Sequence, residues 1–114
     1  MSVDLFAGIA VTDFPRAMQW YEQLLDGPGT FAPNDTEMVW QLAEHNFIYI
    51  EDLPERAGHA MITVFVADLD QRLAGIAERG LQPDRTDKYD NGVRKAIFVD
   101  PDGNEVSFGG GPAE

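Results

Sequence analysis

Apolar and polar positions alternate from Val3 to Val11: Val3, Leu5, Ala7, Ile9 and Val11 share one side, and Asp4, Phe6, Gly8 and Ala10 the other. That period of two predicts a strand with one strongly apolar face. Asp13 then offers an N-cap, with Pro15 in the first turn behind it. Phe14, Met18, Tyr21 and Leu25 recur at helical spacing with Ala17 beside them, and Gly27-Pro28-Gly29 stops that helix. Three extended segments follow, near Thr30 to Ala32, from Glu37 to Ala43 and from Asn46 to Glu51. The last places Phe47, Tyr49 and Glu51 on one face and Ile48 and Ile50 on the other.

After a charged connector with Pro54 and Gly58 as breakers, the pattern restarts. His59 to Val66 reads as a strand and Asp68 as an N-cap. Leu69, Leu73, Ile76 and Ala77 form a helical stripe, and Gly80 is the stop. Gln82 to Asn91 is a polar loop with room for a short strand. Val93 to Val99 and Glu105 to Gly109 are strands joined by the tight turn Asp100-Pro101-Asp102-Gly103-Asn104. Val11-Thr12-Asp13-Phe14 is echoed by Val66-Ala67-Asp68-Leu69, each closing a strand and opening a helix. The order βαβββ therefore occurs twice, and neither half buries its sheet and helix stripe well alone. The expected fold is α+β. It is one domain over residues 1–114, with a first module at 1–52, a linker at 53–58 and a second module at 59–114. The mixed sheets form a half-open barrel with helices outside.

Composition narrows the function. A formal charge of −12, from 20 acidic and 8 basic side chains, repels nucleic-acid phosphates and anionic lipid. No apolar run is long enough to span a membrane. The first residues carry neither the basic nor the apolar stretch of a secretory signal, so the expectation is a cytoplasmic protein. Without cysteine there is no disulfide, no thiolate metal site and no cysteine nucleophile. Asp100 and Asp102 are explained as turn residues, and Gly109-Gly110-Gly111 falls too late to open a phosphate-binding helix.

Val11-x-Asp13 with Ala17, Trp20-Tyr21 and Leu24-Leu25-Asp26-Gly27 resembles the opening motif of the vicinal-oxygen-chelate superfamily. That family includes glyoxalase I, extradiol dioxygenases and bleomycin-resistance proteins. Asp100-Pro101-Asp102-Gly103-Asn104 resembles its closing hairpin, and Val66-Ala67-Asp68-Leu69-Asp70 its second opening. The resemblance spans nearly the whole chain. It implies a homodimer in which, among the small drug-binding members, two chains exchange modules and build two clefts. It also implies four metal-ligand positions in the enzymes, which fall here on Phe6, Tyr49, Met61 and Ser107. These side chains do not suit a divalent centre, because phenyl and thioether groups are poor ligands for hard or borderline ions.

Alternation assigns an inner face carrying Phe6, Trp40, Tyr49, Met61, Phe65 and Phe98, with Thr63, Arg94 and Ser107 as polar points. Ile9, Val11, Ile48, Ile50, Ile62, Val64, Ile97 and Val99 go to the helix side and suffice to pack it. The extra aromatic surface then needs a partner, and a planar ligand is a natural one. The reading is thus a small-molecule-binding protein with neither metal nor catalytic residue, close in character to bleomycin-resistance members. Its ligand site is Phe6, Trp40, Tyr49, Met61, Phe65, Arg94, Phe98 and Ser107, and the ligand is aromatic or cationic and antibiotic-like. The alternative is a lyase, isomerase or dioxygenase with one divalent metal ion on a relocated site including Glu51 and His59.

Overall fold

In the computed structural model, residues 2–113 are described. Strand β1 spans Leu5–Val11, and helix α1 (Phe14–Leu25) begins where the Asp13 side chain accepts the Arg16 amide. The helix ends with Asp26 in the left-handed region. Strands β2 (Phe31–Asn34), β3 (Glu37–Ala43) and β4 (Asn46–Asp52) complete the first module. A single 3-10 turn at Pro54–Arg56 leads to β5 (Met61–Phe65), α2 (Leu69–Glu78), β6 (Arg85–Lys88), β7 (Arg94–Val99) and β8 (Glu105–Gly110). The α+β architecture of two βαβββ modules is the one expected.

Each module forms its own open, mixed four-stranded sheet, in the orders β1-β4-β3-β2 and β5-β8-β7-β6. β1 runs parallel to β4 and β5 parallel to β8, while the remaining neighbours are antiparallel. The strand expected from His59 starts only at Met61. The Ala60 amide is taken by the Asn104 side chain (2.9 Å), and the Ala60 carbonyl accepts from Glu105. A short strand, β6, does sit in the polar stretch expected to be a loop.

One core serves both modules. Ile9, Val11, Tyr21, Leu24, Trp40, Ile48 and Ile50 from the first join Leu69, Ile76, Phe98, Val106 and Phe108 from the second. Both sheets therefore turn their helix-bearing sides inward, and α1 meets α2 at its C-terminal end. There the Arg79 guanidinium donates to the Gln23 and Leu24 carbonyls, and Gln23 donates back to the Arg79 carbonyl. The junction between α1 and the β7–β8 turn is polar and fully bonded. Tyr21 donates to Asp100 Oδ2 (2.8 Å), and Asn104 donates to Asp100 and to the Ala10 carbonyl. Gly103 closes the turn at φ +97°, a conformation that favours glycine.

Candidate functional site on the open sheet faces

The faces turned away from the shared core are where function can be carried. On the first sheet, register places Phe6, Gly8 and Ala10 of β1 beside Phe47, Tyr49 and Glu51 of β4, then Gln41, Val39 and Glu37 of β3. Phe6 and Phe47 stack face to face, with centroids 4.3 Å apart and planes within 4°. Phe6 remains 46% exposed, so the stack presents a flat ring surface to solvent. Tyr49 lies across Gly8, where a methyl group would come within 2.6 Å of the tyrosine Cζ and hydroxyl. A bare backbone at that position is what lets the phenol extend over β1.

Beside Tyr49 the same face sinks into a hollow of about 300 Å³ whose walls include Glu51, Arg56 and His59. The linker turn supplies Arg56, and the residue stretch before β5 supplies His59. Among the described residues, no three His, Asp or Glu side chains gather closely enough to hold a metal. Phe6 is committed to its stack on Phe47, and neither phenyl nor the thioether of Met61 is a ligand for a hard or borderline divalent ion.

On the second sheet, Met61, Thr63 and Phe65 of β5 align with Glu105, Ser107 and Gly109 of β8 and with Val99, Ile97 and Lys95 of β7. Met61 and Phe65 are 79% and 66% exposed, while Ser107 is buried in the middle of the sheet. Five of the eight expected site residues thus lie on open faces: Phe6 and Tyr49 on one sheet, Met61, Phe65 and Ser107 on the other.

Three expected site residues lie on the opposite face. Trp40 is buried at 3% exposure, opposes Ile48 across β3 and β4, tilts against Tyr21 and donates its indole N–H to the Gly27 carbonyl. Phe98 is in the core, edge-on to Phe108. Arg94 turns to the helix side, pairing with Asp70 of α2 (2.6 Å) and donating to the Gly111 carbonyl. Ile97 and Val99 take the open face instead. The cause is the register of the β7–β8 hairpin. Val99 opposes Glu105, so Ile97 opposes Ser107 and shares its face. Val93 to Val99 alternates too weakly to reveal this, because Ala96, Ile97, Phe98 and Val99 are all apolar. Counting back across the turn from Ser107 finds the right face. Phe47, absent from the expected site, lies on the same side of β4 as Tyr49 and is found by the same period of two.

The Glyoxalase/Bleomycin resistance protein/Dioxygenase superfamily profile matches residues 3–108. No curated protein matches the chain. Among solved structures, a glyoxalase/bleomycin resistance protein from Catenulispora acidiphila DSM 44928 is 51% identical. It superposes with a TM-score of 0.93, covering 97% of this chain and 100% of that one. A bleomycin-binding protein complexed with bleomycin is 20% identical (TM-score 0.74, covering 99% and 100% of the two chains). A lactoylglutathione lyase from Agrobacterium tumefaciens is 15% identical (TM-score 0.74, covering 97% and 95%). The last two share the fold.

Proposed function

The chain belongs to the glyoxalase/bleomycin resistance protein/dioxygenase superfamily, and from that premise we propose that it binds a flat aromatic or cationic small molecule and holds it without metal or catalysis. The observation that carries the reading is the Phe6–Phe47 stack left open to solvent on the first sheet. A ligand ring stacked there removes apolar surface from water, and the net negative protein draws in a cation. The bleomycin-binding protein of the same fold holds bleomycin, and sequestration of an antibiotic by this chain would need only such an affinity.

The reading includes a homodimer. The two open faces point away from the shared core, so a cleft walled by the open faces of both kinds of sheet needs a second copy. The free edges of β1 and β5 are the natural meeting lines, since unpaired apolar edges attract another strand. Glu51 and His59, which share the hollow beside Tyr49, favour the alternative of a metal-dependent enzyme, for which they would be two of the protein ligands. Open metal sites use about three.

The test is calorimetric titration of the purified protein with bleomycin and a panel of planar cations, together with elemental analysis for divalent metals. The expected result is saturable binding with negligible metal, weakened by ~1–3 kcal/mol in Phe6→Ala, or roughly 5- to 150-fold. About one tightly held metal per chain, lost on Glu51→Gln or His59→Ala, overturns the reading in favour of the enzyme.

A further inference from the structure

The two modules are internal copies, yet the two ends of the seam between them differ. By register, the turn after Val99 and the turn after Gln41 are equivalent, so Asp100 answers to Leu42 and Asn104 to Asn46. By helix position, Tyr21 answers to Ile76. At one end Asn104 ties the seam shut, accepting from the Gly58 and Ala60 amides and donating to the Ala10 carbonyl, with Tyr21 and Asp100 sealed behind it. At the other end Leu42 and Ile76 offer no polar network. Asn46 is exposed there, without a side-chain partner among the described residues. The seam opens into a groove of about 420 Å³.

The groove is walled by apolar side chains of both sheets, among them Leu5, Leu42, Ile48, Ile62, Val64 and Phe108. Arg72 of α2 stands at it, the one Lys or Arg among its lining residues. Its guanidinium lies 5.7 Å from the Phe108 ring centre, and its Nε is 3.5 Å from Asp68. Asp68 sits at the N-cap of α2 but makes no capping bond, unlike Asp13 on α1. Asp68 lines the groove as well but meets Arg72 only at Nε, so the two terminal nitrogens have no partner among the described residues, and the Asn46 amide borders the same space. Apolar walls with a forked cation at one end suit an apolar body bearing a single carboxylate.

We propose that this groove, which runs between the core sides of the two sheets and meets their open faces at Phe47, Thr63 and Phe65, is a second ligand site for a small organic monocarboxylate with an apolar body. The carboxylate pairs with Arg72 and the body lies along the Leu5–Ile48–Val64 walls.

The experiment is calorimetric titration of the full chain with sodium decanoate, decan-1-ol and decylamine, each below its micellar concentration. The expected result is saturable decanoate binding, weaker decanol binding and no decylamine binding. Arg72→Gln should lower decanoate affinity at least about tenfold. Ala43→Trp, which places an indole in the groove from the exposed end of β3, should abolish it. Equal binding of decylamine and decanoate, or full affinity in Arg72→Gln, overturns the proposal. So does the absence of decanoate binding. If Ala43→Trp also halves the mass of the native particle, the groove is instead covered by a second copy.

Discussion

At the residue scale, Tyr21 is the side chain whose chemistry the fold alters most. Burial, then the charge and hydrogen bond of Asp100, push its phenol well above the ordinary range of about 10. Asp100 itself is buried and accepts from the Tyr21 hydroxyl, the Asp102 and Asn104 amides and the Asn104 side chain. Tyr21→Phe removes one of these donors and is expected to cost ~1–3 kcal/mol, measured by urea unfolding at pH 7. The pH dependence has a definite sign. The folded chain keeps this phenol protonated while the unfolded chain ionises near pH 10, so the contribution is intact below that pH and is lost above it. Native protein should lose stability on going from about pH 9 to 11, and Tyr21→Phe should lose less. Equal slopes in the two proteins would remove Tyr21 from the explanation.

At the element scale, the lesson lies in β3 and β7. Trp40 alternates with Val39 and Gln41, and its ring size made it look like a ligand platform. It is instead the floor on which α1 packs, and the exposed aromatic platform is Phe6 on Phe47. Trp40→Ala should cost ~3–5 kcal/mol in thermal or denaturant unfolding. Phe6→Ala should cost less than half as much, because its ring is half-exposed already. The reverse order would reassign the faces. In β1 and β5 the faces were legible in sequence, because an aspartate at the N-cap position of the following helix sits at a fixed distance from the strand and pins its phase. In β7 neither face is polar, and only pairing with β8 decides which side turns to the helices.

At the scale of the whole molecule, the modules share a core on their helix sides, and Leu5, Phe6, Met61 and Phe65 are left exposed along or beside two unpaired edges. Among the described residues no helix is long and apolar enough to cross a membrane. Light scattering on a sizing column is expected to give the mass of two chains, and Phe65→Glu to shift it towards one. Because each copy carries a charge of −12, association should tighten as salt rises, through screening of like charges. A single-chain mass for native protein at high salt would refute the dimer.

The sequence by itself determined the repeat, the helix boundaries, the family and the phase of the strands that a cap or a polar alternation marks, since these rest on local patterns of a few residues. Tertiary structure decided that Trp40, Arg94 and Phe98 serve the core side, through the pairing of β3 with β4 and of β7 with β8, and it alone decided that one end of the seam is sealed while the other is a groove. Those outcomes depend on hairpin register and on which module's side chains meet across the chain. Both are set by contacts between residues far apart in sequence, which no local pattern encodes.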